Sequence, residues 1–237
     1  MKVMLHRFDL HMHSFYSADA AASPEELIAV ARARGLSGIA ITDHDSCGAH
    51  AELLKSGLER EDGQAVDGFL VVPGVEVSTA DGHLLCLGTT LPVMRGEPAA
   101  EVVEAIHARG GVAIPAHPYD RWRAGIHEAV LNSLPLVAIE VFNAAVTSRK
   151  YNDRALAYAQ KRGLAMTAAS DAHHASAVGI SVTGFELDSL SVADLLNAIR
   201  KGGQPEGQYL SRREAIKKHF GNFFRTFNRQ APPRTEE

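Results

Sequence analysis

Short apolar runs rich in Val, Ile, Leu and Ala recur along the chain, and between them apolar positions return at helical spacing. Period two over a few residues marks a strand and a period near 3.6 over a longer stretch marks a helix, so the alternation predicts β-α units around a largely parallel sheet. The first run, residues 3–10, reads as a strand. The stretch "SPEELIAVARARG" that follows reads as a helix with explicit ends: Ser23 is the N-cap, Pro24 takes the first helical position, Glu26 completes a capping box and Gly35 stops it.

The same pattern continues to the end of the chain. A strand "GIAITDH" ends at His44, a helix runs from about Gly48 through "AELLKSGLER", and the strand region "FLVVPGVEVST" pairs with "GHLLCLGT" across the turn at "ADG". A helix "EPAAEVVEAIHARGG" then leads to the strand "VAIPAHP", followed by "VAIEVFN", the helix "KYNDRALAYAQKRG", the strand "AMTAASDAH" and a last helix "SVADLLNAIRKGG" capped by Ser191. Beyond it, "SRREAIKKHFGNFFRTFNRQ" carries a basic and aromatic face, read as a terminal helix that packs its Phe side chains on the domain in preference to a membrane or nucleic-acid contact. No repeat and no Pro-, Gly- or Ser-rich linker divides the chain. Residues 1–210 are therefore expected to form one α/β domain and residues 211–237 a C-terminal helix and polar tail.

Composition narrows the class. With 46% hydrophobic and 22% charged residues the balance is that of an ordinary globular protein. A formal charge of -4 argues against broad coating of nucleic acid and leaves nucleic acid open as a substrate. Cys47 and Cys86 are the only cysteines, with no C-x-x-C pattern, which fits a reducing compartment. The first residues lack the apolar stretch of a signal peptide and no run is long enough to span a bilayer, so a cytoplasmic location without membrane contact is expected.

Histidine is the compositional oddity, with twelve in the chain. In "DLHMHS", His11 and His13 follow an apolar run two residues apart, which in a strand places both rings on one face. Such a pair alone fits a solvated strand face or two hydrogen-bonded core histidines as well as a metal site. What changes the picture is the polar residue at nearly every predicted strand end: Asp19 in "YSADA", His44 in "ITDHD", Glu76 in "PGVEVS", His83 in "DGHLL", His117 in "PAHPY", and Asp171 and His173 in "ASDAHH". In parallel α/β architectures the carboxyl ends of strands are where chemistry collects. Six histidines and three carboxylates exceed the needs of one catalytic cation, so two or three divalent ions are implied, with Glu76 suited to bridge two of them. His6, His50, His107, His127, His174 and His219 sit in helical or edge contexts and are expected to be solvated or locally bonded.

The ordered motifs "DLHMHSFYSAD", "ITDHD", "GVEVS", "HLLCLG", "AHP", "IEVFN" and "SDAH" resemble the PHP (polymerase and histidinol phosphatase) superfamily over about residues 7 to 180, most closely its stand-alone metal-dependent phosphoesterases. The resemblance implies a distorted, TIM-like (β/α)7 barrel with a trinuclear site of Mn, Fe or Zn at the C-terminal ends of the strands. It further implies a first ion on His11, His13, Glu76 and Asp171, a second on Glu76, His83 and His117, and a third on Asp19, His44 and His173. Many relatives carry a helical insertion between the bridging Glu and "AHP"; here only 40 residues separate Glu76 from His117, which implies a more open pocket.

Clustered dications would acidify a water, hold the phosphoryl oxygens and neutralise the leaving oxygen in an in-line displacement. Glu76 and Asp171 are the expected catalytic residues, Asp171 also orienting or deprotonating the water. Asp43 and Asp45 would fix ring tautomers beside His44. Arg121, Arg123 and Asn143 are candidate donors to a substrate phosphate, against the alternatives of a solvated loop and a turn cap, and Trp122 is a candidate stacking platform. The expected partners are a phosphorylated small molecule, a nucleotide or a short oligonucleotide as substrate, with no stable protein partner. Two rival readings are a metal-dependent amidohydrolase, which commonly bridges its metals with a carboxylated Lys, and a catalytically silent PHP module, which loss of ligands would signal.

Overall fold

The computed structural model describes residues 5–209. In chain order the first half comprises β1 (Leu5–Asp9), α1 (Pro24–Ala33), β2 (Gly38–Ala40), α2 (Gly48–Ser56), β3 (Leu70–Val72), β4 (Gly74–Thr79), β5 (Gly82–Leu87) and α3 (Ala99–Ala108). The second half comprises β6 (Val112–Pro115), α4 (Glu128–Leu131), β7 (Ala138–Asn143), α5 (Arg149–Arg162), β8 (Ala165–Ala169), β9 (Ser181–Glu186), α6 (Val192–Lys201) and β10 (Gln204–Gly207), with a short 3-10 turn at Arg121–Arg123. The expected C-terminal helix lies outside the described residues, as does the start of the predicted first strand. No helix among the described residues is long and apolar enough to cross a membrane.

The ends of α1 are set locally, as its sequence requires. Ser23 Oγ accepts from the Glu26 amide at 3.1 Å, Pro24 opens the first turn, and Gly35 leaves the helix at φ +72°. Ser191 caps α6 in the same manner, accepting from the Asp194 amide at 3.2 Å.

Hydrogen bonding groups the strands in three sheets rather than in a single closed barrel, in the orders β10-β9-β1-β2-β3, β4-β5-β6 and β7-β8. Parallel pairing holds for β1 with β2, β2 with β3, and β7 with β8, whereas β4, β5 and β6 form an antiparallel meander and β9 lies antiparallel to both β1 and β10. Pro73 explains one departure from the expected elements. Lacking an N–H, it splits the continuous apolar region into β3, which pairs with β2, and β4, which pairs with β5. Neither β9 nor β10 shows a sequence signal of its own: "SVTGFE" mixes polar and apolar residues although its first five are buried, and "QPEG" is exposed throughout.

Strand alternation sorts β1 and its continuation into two faces. Phe8, Leu10 and Met12 enter the apolar core, Phe8 meeting Phe185 at a 6.1 Å ring separation, while Asp9, His11 and His13 point to the opposite side and are equally buried. Gly38 allows the parallel strands to close over Phe8, since a Cβ there would lie 2.3 Å from the Leu70 carbonyl and 2.6 Å from the Phe8 ring. Beyond their ladders, two isolated parallel bridges, Met12 with Ala172 and His44 with Glu76, stitch the carboxyl ends of strands from different sheets together.

Asp9 is the brace beneath that end. Its carboxylate accepts from the Ser170 amide (3.0 Å), the Ser170 hydroxyl (2.5 Å) and the Gly179 amide (2.7 Å), tying β1 to the segments that leave β8 and enter β9. Asp9→Ala would strand a buried amide, a buried hydroxyl and the part-buried Gly179 amide, and is expected to cost about 3 kcal/mol, read as a lower urea midpoint at unchanged slope.

Candidate metal centre

Six elements deliver the polar cluster. The continuation of β1 brings His11 and His13, the segment after β2 brings His44, β4 brings Glu76, β5 brings His83, the end of β6 brings His117, and the end of β8 brings Asp171 and His173. The β4-β5 register accounts for His83. A two-residue turn opposes Thr79 to Gly82 and Ser78 to His83, so Glu76 and His83 fall on one face as diagonal neighbours.

Glu76 lies at the centre, fully buried. Its Oε2 is 3.0 Å from His11 Nε2, 3.1 Å from His13 Nε2 and 3.4 Å from His44 Nδ1, while its Oε1 is 2.8 Å from His83 Nδ1 and 3.1 Å from His117 Nε2. Asp171 Oδ1 lies 3.5 Å from His13 Nε2 and 3.4 Å from His173 Nδ1. Half-exposed Asp19 completes the group, its Oδ2 at 3.0 Å from His173 Nε2 and 3.9 Å from His44 Nε2. All nine candidate ligands thus meet, and four subsets of them have ligand atoms close enough to share an ion: His11, Glu76 and His117; His11, His13 and Asp171; His44, Glu76 and His83; and His13, His44 and His173.

Hydrogen bonds behind the rings fix which nitrogen faces inward. Ser17 Oγ donates to Asp43 Oδ1 (2.8 Å) and lies 3.2 Å from His13 Nδ1, which makes that nitrogen the donor and turns Nε2 to the cluster. The Asp171 carbonyl accepts from His173 Nδ1 at 2.9 Å, and Glu140 Oε1 accepts from His11 Nδ1 at 3.2 Å. Asp43 therefore acts on a ring through Ser17, a route its sequence position does not reveal. Asp45, expected to fix a tautomer, instead accepts from the Ser78 amide (2.8 Å), and its other oxygen lies 4.0 Å from Arg95 Nε.

The proposed phosphate donors divide. Arg123 is partly buried, with its guanidinium on Asp171 Oδ2. Arg121 is exposed, its guanidinium over the exposed Trp122 ring at 5.0 Å. Asn143 is fully buried, with both amide hydrogens used on Glu140 Oε2 (2.9 Å) and Asp171 Oδ2 (3.0 Å) and its oxygen accepting from the Ala145 amide, so no donor is left for a substrate. Among the histidines expected to lie outside the site, His50 is buried against Glu59 at 2.7 Å and His6 meets Ser37 Oγ at 3.0 Å.

Backbone strain collects here. His117 (φ +31°) and Asp171 (φ +52°) both occupy the left-handed region, where residues with a Cβ are held only by over-determined surroundings. Gly125 is required for the loop that follows His117, because a Cβ would lie 2.3 Å from the His117 carbonyl.

The electrostatics follow from burial and proximity. Burial by itself would push the Glu76 carboxyl up, but the charges of His11, His44 and His83 outweigh it and hold that carboxyl well below its usual range. Burial would push His13 down, yet hydrogen bonds to Asp171 and Glu76 lift it to about 9, and His11 is likewise lifted by Asp171, Glu76 and Glu140. Burial lowers His44, and lowers His117 with the help of the Arg123 charge.

This donor set fits divalent cations. A carboxylate offers about four lone-pair sites, and five ring nitrogens crowd Glu76 within 3.4 Å. His11 Nε2 and His13 Nε2 face each other at 3.3 Å, a separation that needs a proton or a cation between the lone pairs. His117 Nδ1 and Asp19 Oδ1 are buried without a hydrogen-bond partner. Imidazole and carboxylate together suit Mn, Fe and Zn.

Comparison with known proteins places this centre in context. A family model described as PHP-associated matches residues 149–203. An uncharacterised protein of Methanocaldococcus jannaschii is 30% identical over 146 residues, covering 57% of this chain and 81% of its own. A protein of Enterobacter sp. (strain 638) described as a probable phosphatase is 29% identical over 196 residues, covering 72% of this chain and 80% of its own. A two-domain protein of Bacteroides vulgatus containing a predicted PHP-like metal-dependent phosphoesterase superposes with a TM-score of 0.67 at 16% identity, over 93% of this chain and 70% of that one. An α/β domain with clustered imidazoles and carboxylates at its strand ends offers the donor set that divalent cations require. The chain thus carries a PHP-associated segment at residues 149–203 and shares its fold with PHP-like proteins.

Zn(II) titrated into the metal-free protein is expected to displace protons from His11 and His13, so that binding strengthens as pH rises toward about 9 and weakens below it. Calorimetry in buffers of different ionisation enthalpy counts those protons, and a pH-independent affinity would contradict the assignment.

Proposed function

We propose that the chain hydrolyses phosphate esters at a centre of two or three divalent cations. The observation that carries this reading is the division of Glu76, whose two oxygens face two different groups of imidazoles. On this reading His11, His13, Glu76 and Asp171 hold one ion, Glu76, His83 and His117 a second, and Asp19, His44 and His173 a third. Bound there, the cations would acidify a water and neutralise charge on the phosphoryl and leaving oxygens.

The chain's own residues then have distinct tasks. Water attacks phosphorus in line, the P–O ester bond breaks, and phosphate and an alcohol leave. Asp171 keeps Oδ2 on Arg123 and Asn143, which aims Oδ1 at His13 and His173, the side on which it would hold its ion and orient the water. Arg123 is the donor best placed for a phosphoryl oxygen, and Arg121 contributes charge at the mouth. The ester enters beside His44, His83 and Asp19, whose side chains are 23%, 20% and 40% exposed where the other six are closed off. A phosphorylated small molecule, a nucleotide or an oligonucleotide end each presents the required group.

Two features weigh against the rivals. All four lysines among the described residues, Lys55, Lys150, Lys161 and Lys201, are exposed, and a carboxylate occupies the bridging position that a carboxylated Lys would need in an amidohydrolase. A silent module would have lost ligands, and here eight candidates share groups close enough to hold an ion, with Asp19 beside His173 and His44.

Metal analysis of the purified protein, run beside a panel of phosphomonoesters, phosphodiesters and nucleotides with added Mn(II), is expected to give two to three ions per chain and turnover of one ester class. Fewer than one ion with no turnover after Mn loading would return the chain to the silent-module reading. His44→Ala and Asp171→Asn are each expected to lower turnover by about a hundredfold or more and to reduce bound metal with the fold retained, while His174→Ala has a far smaller effect.

A further inference from the structure

Strand β7 supplies no candidate ligand, yet it touches three strands that do. Glu140, fully buried, accepts from His11 Nδ1 (3.2 Å) through Oε1 and from the His117 backbone amide (2.6 Å) and Asn143 Nδ2 (2.9 Å) through Oε2. Asn143 carries the connection onward, its second amide hydrogen going to Asp171 Oδ2 at 3.0 Å.

In a regular strand residues three apart point to opposite faces. Here the β7-β8 register slips: Glu140 pairs with Thr167, but Phe142 pairs with Ala168 and Asn143 with Ala169, so Val141 is the extra residue of a bulge. The bulge reverses the parity and turns Glu140 and Asn143 toward the same side. Val141 itself packs in the apolar core.

We infer that Glu140 is the positioning residue of the centre: through its bonds to His11, His117 and Asn143 it sets the inward tautomer of one ring, clamps the strained backbone of a second ligand and, by way of Asn143, steadies Asp171. The inference rests on the metal-centre reading above. Glu140 reaches no reacting atom. A carboxylate is required because both of its oxygens must accept. A glutamine in its place would either face an N–H toward His11 Nδ1, forcing the proton to Nε2 and removing that ring as a ligand, or face one toward the His117 amide.

The test compares full-length wild type, Glu140→Gln and Asn143→Ala, each titrated with Zn(II) against a chromophoric chelator, with histidine ring tautomers read by long-range proton-nitrogen NMR of the Zn-loaded proteins. Wild type should show a slowly exchanging His11 Nδ1 proton. Glu140→Gln should bind Zn about 10- to 100-fold more weakly, losing the His11 proton where the amide N–H faces that ring, with the thermal midpoint of the metal-free protein showing that the fold persists. Asn143→Ala should retain the His11 proton yet bind about tenfold more weakly, which keeps the inference testable if Glu140→Gln fails to fold. Wild-type affinity in either variant overturns it. A wild type that binds no Zn overturns the metal-centre reading instead.

Discussion

Glu76 is an ionised carboxylate with no exposed surface, and an arrangement of that kind survives in a protein interior only when opposite charge surrounds it. Here five imidazole nitrogens from four separate strands ring the carboxylate, with His11 and His13 lifted toward their charged form. Removing the rings would leave a buried anion; removing the carboxylate would leave several mutually repelling rings. The arrangement of the strand ends, the two isolated bridges and the left-handed backbone at His117 and Asp171 can all be understood as means of bringing those groups to one point. Function and stability therefore oppose each other at this point, with local strain offset by the apolar packing beneath it.

Much of this cluster is legible in the sequence because most of its side chains stand where predicted strands stop, Glu76 inside β4 and His83 at the start of β5 being the departures. His11 and His13 follow from period two alone, and the capped ends of α1 and α6 follow from Ser23 and Ser191. Other parts were hidden for identifiable reasons. β9 lacks the apolar run of a buried strand because Ser181 and Thr183 sit in it, satisfied by partners from elsewhere: Ser181 Oγ donates to the Glu206 carbonyl, and Thr183 Oγ1 to that of Ala168. β10 is exposed and carries no pattern at all.

Glu140 was missed because it sits inside "VAIEVFN" at a position that normal strand parity would aim away from Asn143. Only the bulge makes the two neighbours, and bulges leave little trace in composition. Asn143 stands at a strand end with its amide hydrogens on Glu140 and Asp171, and in the sequence a strand-end amide looks the same whether its hydrogens serve a ligand or the scaffold. Ser17 was equally invisible, because its role depends on Asp43 arriving from another segment. In each case the missing information is three-dimensional adjacency between polar groups far apart in the chain.

The turn between β4 and β5 has a consequence beyond the hairpin it closes. Ala80 and Asp81 lie at the surface, where loop length ordinarily drifts freely among related proteins. This loop is not free to drift. Inserting or deleting a single residue would exchange the two faces of β5, moving His83 away from Glu76 and shifting Asp81 from the Ala99 amide that it caps at 2.9 Å. An exposed pair of residues with no chemistry of its own thus has its length dictated by a buried carboxylate. Over evolutionary time substitutions there should be frequent, and changes of length should occur only where the centre itself has been rebuilt.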